Sequence, residues 1–143
     1  MAKKGYGIGK ELDVRRRVKK LSIEGSTTGN KILTYLQNPE DKDCVIDRIM
    51  VDVAVASQSA NTFDIGVAAD ATTASGNLIN SPVGMASTVG VYDNIEDKGT
   101  NGKARQKWNK AGGANNFITV KIVTDNDNSN LRATLYVFYL IQD

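Results

Sequence analysis

The chain has 143 residues, 41% apolar and 24% charged, with a net charge of +2. That length and composition suit one soluble domain with a real core, and no apolar run approaches the ~18 residues of a membrane span, so no membrane partner is expected. One cysteine, Cys44, and no histidine exclude an intramolecular disulfide, Ser-His-Asp and Cys-His catalysis and the common zinc sites.

The charge is unevenly spread. Residues 1–20 hold eight basic groups and two acids, or +6, and the rest of the chain carries −4. Residues 1–13 place Gly5, Gly7 and Gly9 at alternate positions and show no core pattern. They read as an extended basic arm, with no apolar stretch of a secretory signal. Residues 14–143 then form the folded domain.

Residues 14–24 (VRRRVKKLSIE) put Val14 and Val18 on one face and Leu21 and Ile23 on another. That phase break predicts a bulged or edge strand, with a short helical turn through RRRVKK as the alternative. GSTTGN (25–30) is a turn. KILTYL (31–36) is a short strand stopped by Asn38-Pro39.

CVIDRIMVDVAVA (44–56) alternates, with Val45, Ile49, Val51, Val53 and Val55 predicted inward. TFDIGVA (62–68) repeats the pattern with Phe63, Ile65 and Val67 inward, and SQSAN between the two reads as a hairpin loop. Residues 69–115 are rich in Gly, Ser, Ala, Asn and Thr, with apolar islands at Leu78-Ile79, Met85 and Val89–Tyr92. Short strands joined by ordered loops are expected there.

FITVKIVT (117–124) is a strand with Ile118, Val120 and Ile122 on one face. RATLYVFYLIQ (132–142) is another, apolar on both faces, and DNDNSN between them reads as a hairpin turn. No segment carries a helix stripe. The pattern predicts an all-β fold of roughly eight strands, a β-sandwich or jelly roll.

Several short motifs invite a chemical reading. GTNGK (99–103) lacks the spacing and the Ser or Thr of a phosphate loop, and GYGIGK (5–10) lacks the preceding strand of a dinucleotide site. DNDNSN (125–130) starts like a calcium loop, but Asn130 and Tyr136 stand where Gly and Glu are required. A carboxylate hydrolase built on Asp64 and Asp70 would need the pair set across a cleft, and nothing in the pattern indicates one. No cofactor, no metal and no enzymatic activity are therefore expected.

The remaining candidates are contacts. The basic run with Lys3, Lys4, Lys10, Arg15, Arg16 and Arg17 suits an acidic protein surface. Its single aromatic, the acidic body and the lack of a recognition helix argue against nucleic acid. In the last strand, Leu135, Val137, Tyr139 and Ile141 share one face while Tyr136, Phe138 and Leu140 share the other. That second face needs a cover, from loops or from a subunit interface rich in aromatics. Trp108 is a core anchor or a partner contact.

With VIDRIMVDVAVA, TFDIGVAADATTASGNLIN, VGVYDN, the glycine-rich KGTNGKARQKWNKAGG and a terminal YVFYLI in order, the chain resembles small decoration (cement) proteins of tailed-bacteriophage heads. The likeness runs over residues 14–143 and is densest in 45–94. It implies a sandwich or jelly roll, often trimeric, made in the host cytoplasm and bound outside an icosahedral head. There it would tie major capsid protein subunits together. The resemblance carries no catalytic residue. The alternative is a head-fibre, tail or receptor- or carbohydrate-binding sandwich, with Trp108 and Tyr92 as its first aromatic candidates.

Overall fold

The computed structural model describes residues 16–123 and 127–142. Nine strands run through them: β1 (Arg16–Glu24), β2 (Lys31–Gln37), β3 (Cys44–Val55), β4 (Thr62–Ala68), β5 (Ile79–Asn80), β6 (Gly90–Asp93), β7 (Gln106–Trp108), β8 (Phe117–Val123) and β9 (Arg132–Ile141). A three-residue 3-10 turn, Met85–Ser87, is the only helical element among the described residues. The proposed arm, residues 1–13, lies outside them.

Sheet I has the order β1-β9-β3-β6, with β7 also on β3, and sheet II the order β2-β8-β4-β5. All pairings between these strands are antiparallel. The pairing is nested: β1 with β9, β2 with β8, β3 with β6 and β7, and β4 with β5. This is jelly-roll connectivity, a long antiparallel ribbon folded over itself into two sheets.

Two hairpins expected from sequence are therefore not hairpins. SQSAN carries the chain from β3 in sheet I to β4 in sheet II, and DNDNSN carries it from β8 in sheet II to β9 in sheet I. Alternation shows which side chains face inward but does not name the neighbouring strand.

The core lies between the sheets. Phe63, Ile65 and Val67 from β4 and Ile118, Val120 and Ile122 from β8 meet Leu135, Val137 and Tyr139 from β9 there. Strand β1 is a regular edge strand with unbroken register to β9, neither bulged nor helical. Its phase break has a simple cause. Leu21 and Ile23 turn toward the core, and Val18 lies on the outer face at 52% exposure.

Strand β3 departs from its expected alternation. Its register on β9 shifts between Ile46 and Arg48, a bulge at Asp47 that reverses the parity of everything before it. Cys44 and Ile46 are fully buried, whereas Val45 turns outward; Ile49, Val51 and Val53 point inward as predicted. A second shift between Val53 and Val55 leaves Val55 48% exposed.

The bulge is held by Asn94. Strands β6 and β7 occupy successive stretches of the same edge of β3, residues 50–53 and 44–46. In the gap between them, buried Asn94 accepts a hydrogen bond from the Ile49 amide at 2.8 Å and donates to the carbonyls of Lys103 and Ala104. A side-chain amide thus stands in for a missing rung of the ladder.

Candidate interaction surface

The polar residues that look most like a site serve the fold. Asp64 accepts hydrogen bonds from Asn80 Nδ2 at 3.1 Å and Ser81 Oγ at 2.6 Å. Asp70 takes the Thr73 hydroxyl and the Thr72 amide and hydroxyl, and these bonds hold its carboxyl below the ordinary carboxylate range. Asn77 pairs with both backbone groups of Val67, accepting from its N–H at 2.8 Å and donating to its C=O at 3.1 Å, so it extends the β4 edge past the two residues of β5. Loop 69–77 crosses the outer face of sheet II, where Thr119 donates to the Thr73 carbonyl.

GTNGK is a close-approach loop. Gly99 has φ +74°, and a Cβ there would collide with the Asn80 backbone carbonyl; one on Gly102 would collide with the carbonyls of Lys98 and Leu78. The loop clasps β5 through Asn80 N–H to Lys98 C=O at 2.8 Å and Lys103 N–H to Asn77 C=O at 3.1 Å. In DNDNSN, Asp125 and Asn126 lie outside the described residues. Asn128 is buried and accepts from the Ser26 amide at 2.8 Å, tying the 25–30 turn to the start of β9. Among the described residues no group of three or more acidic, Cys or His side chains is placed to hold a metal ion.

Of the basic candidates, Lys3, Lys4, Lys10 and Arg15 lie outside the described residues, as does GYGIGK. Arg17 sits at the rim of sheet I, 3.5 Å from Glu40. Glu40 also accepts the Tyr139 hydroxyl at 2.6 Å, and burial together with that bond pushes the phenol's pKa up. Beside it, burial raises the Cys44 thiol.

Of the two readings offered for Trp108, the structure shows the core anchor. The side chain is fully buried and so presents no partner contact and no exposed sugar platform. Its indole N–H donates to the Asn116 carbonyl at 2.9 Å, and its ring meets Tyr139 edge-on at 5.3 Å. Asn38 donates to the Trp108 and Asn109 carbonyls, each at 3.0 Å, and to Lys42 at 3.2 Å, so the residue read as a strand stop also pins the indole's backbone. The cause is strand geometry: Trp108 pairs with Cys44 on the inward side, while Lys107 pairs with outward Val45. Tyr92, the other aromatic candidate, is half-buried and bonds the Thr88 carbonyl.

The outer face of sheet I is where the candidates converge. Register places Val18, Phe138 and Arg48 in one row across β1, β9 and β3. Lys20, Tyr136, Met50 and Asp93 form the next row, and Ser22, Thr134, Asp52 and Val91 the one after. Tyr136 and Phe138 are half-buried on this face, and a side chain covers Phe138 in part. The Arg16 guanidinium lies over the Phe138 ring, 4.8 Å from its centroid, and reaches Asp47 at 3.2 Å on the far side of β9. Met50, Asp47 and Val18 belong to this face, and none of them was among the contact candidates read from the sequence. Unbroken alternation would have turned Asp47 inward, and the bulge turns it out; Arg48 and Met50 face outward as alternation predicts.

Arg48 reaches Asp93 at 2.9 Å. Burial pushes the Asp93 carboxyl up, but the Glu96 and Ile95 amides and Arg48 outweigh it and hold the pKa below normal. A carboxyl lowered in the fold stabilises it above its unfolded pKa near ~4 and loses that contribution as pH falls through the folded value. Asp93→Asn should therefore lower Tm at neutral pH and flatten the fall of Tm between about pH 5 and pH 2. A Tm–pH curve parallel to that of the wild type across this window would contradict the assignment.

A shallow groove of about 600 Å³ lies on sheet II between β2 and the 71–74 loop, beside Tyr35, Leu33 and Lys121. No protein-family model and no curated protein matches the chain. Among solved structures, the fold is similar to a chain in the acidic stable capsid structure of Helicobacter pylori bacteriophage KHP30, at 16% identity and a TM-score of 0.43, covering 90% of this chain and 89% of that one.

Proposed function

We propose that this is a non-enzymatic virion structural protein of the decoration type, which binds the outside of a phage head and reinforces contacts between major capsid subunits. One observation carries the reading. Arg16, Arg17, Lys19 and Lys20 all lie on the exposed edge strand β1, continuous in sequence with Arg15 and the basic residues of the arm, on an otherwise acidic body. Lysines on an edge strand also discourage strand-to-strand aggregation, but that purpose does not require a further run of basic residues before the strand. The resemblance in sequence and the jelly-roll connectivity agree with the reading. The same fold serves capsid proteins and lectins alike, so it does not choose between them by itself.

Attachment of many copies, each with modest affinity, would brace a lattice through avidity. The test is co-sedimentation of the purified protein with heads that lack it. Deleting residues 1–13 should weaken attachment roughly tenfold or more and move Tm by no more than ~2 °C. No co-sedimentation at any salt concentration would sink the reading, and binding to glycans instead would favour a receptor-binding role. A large fall in Tm on deletion would show that the arm is part of the fold.

A further inference from the structure

On the decoration reading, we infer that the open edge of β1 takes up an extended acidic segment of a capsid subunit as one more strand of sheet I. An antiparallel ladder alternates between residue pairs that exchange backbone bonds and pairs that do not. The Gly25 N–H donates to the Leu131 carbonyl at 3.0 Å, and the register from β1 to β9 continues unbroken from there. Ile23, Leu21, Lys19 and Arg17 therefore turn their backbone groups toward β9. Ser22, Lys20 and Val18 turn theirs away, and those groups have no partner among the described residues.

The other sheet edges are short or broken. β2 shifts register between Ile32 and Thr34. β5 has two residues and is clasped by the 98–103 loop, and β6 and β7 have four and three. β1 runs for nine residues with no bulge and no proline. Of the devices that keep an edge from pairing, it has charge alone, and charge discriminates by sign.

Arg17 and Lys19 stand on the side of β1 that carries Leu21 and Ile23, and Arg16 and Lys20 on the opposite side, all exposed. An added strand therefore meets cations on both of its faces. Glu24 is the one acid in β1 and β2, and Lys31 adds a further cation. Asp47 and Glu40 engage Arg16 and Arg17. Lys19, Lys20 and Lys31 have no ion-pair partner among the described residues. Such an edge opposes a second copy of itself and favours an acidic strand, while main-chain bonds supply affinity, as in other strand additions.

Two measurements test this, one with heads and one without. Lys20→Gln loses the charge and keeps the outward N–H; Lys20→Pro loses both, with no bond to β9 broken, and an edge strand tolerates proline. Lys20→Pro should attach to heads about tenfold more weakly than Lys20→Gln. Without heads, the isotope-labelled wild-type chain is titrated with a soluble peptide of repeated Glu-Glu-Thr and its amide exchange followed by NMR. The Val18, Lys20 and Ser22 amides should gain protection, and those of Arg17, Lys19 and Leu21, already bonded to β9, should change little. Protection of both sets alike or of neither would overturn the inference, as would equal protection by a Lys-Lys-Thr peptide or equal attachment of the two variants. Pairing of β1 with β1 of another copy would do the same. If the wild type fails to attach to heads at all, the decoration reading falls, and the peptide result alone decides whether the edge takes an acidic strand.

Discussion

Replacing Trp108 with alanine is expected to cost about 4 kcal/mol of folding stability and to lower Tm by roughly 10 °C, read by urea and thermal unfolding. The indole is fully buried, meets Tyr139 edge-on and donates to the Asn116 carbonyl. Truncation opens a cavity where strand β7 meets β3 and β9, and leaves that carbonyl one partner short. The Asn116 carbonyl keeps the Asn38 amide at 2.8 Å, so the cavity dominates the loss. Trp108→Phe should restore most of the volume and cost only about 1–2 kcal/mol. If Trp108→Ala left Tm within ~2 °C of wild type, the indole would be doing something other than filling the core.

Gly99→Ala is expected to cost about 3 kcal/mol, from two sources that act together. At φ +74° an alanine is strained by its backbone alone, and its Cβ would collide with the Asn80 carbonyl. Main chain has no rotamer to escape into, so loop 98–103 must lift from β5. The amide of Asn80, which bonds Lys98, should then lose hydrogen-exchange protection before the β8 amides do. The reverse order would show that strain at Gly99 spreads through the whole sandwich. Gly112, also at positive φ (+89°) but with open space around it, isolates the backbone part; Gly112→Ala should cost only about 1–2 kcal/mol.

These residues mark where the sequence was readable. Phe63, Ile65 and Val67 alternate with smaller or polar side chains over a short run, so the inward face of β4 follows from period two alone. The same holds for Ile118, Val120 and Ile122. The two-faced apolarity of β9 likewise foretold a central strand, and Tyr136 and Phe138 lie on its outer face. Trp108 stays open between core and contact in the sequence because Arg105, Lys107 and Lys110 surround it. Alternation turns Lys107 outward and the indole inward, and composition cannot show this. Val45 misleads because a bulge adds one residue without any mark in the residue types. Asn38, Asn77 and Asn94 were invisible for another reason. Each satisfies backbone groups brought near by folding, and an asparagine in a polar stretch gives no local sign of that duty. Strand partnership was hidden as well, since crossing from sheet to sheet depends on loops and not on periodicity.

The nested pairing also orders events during synthesis. The last of the nine strands, β9, is not at an edge; it inserts between β1 and β3. A ribosome-bound chain that has released β1 to β8 can pair β2, β8, β4 and β5, but sheet I then lacks its middle. Until β9 emerges, β1 and most of β3 present unpaired backbone and the core lacks Leu135, Val137 and Tyr139. Non-local pairing of this kind folds slowly and leaves open edges that invite wrong partners. The run of arginines and lysines along β1 therefore protects the chain earliest, by repelling neighbouring nascent chains before the sheet has a centre.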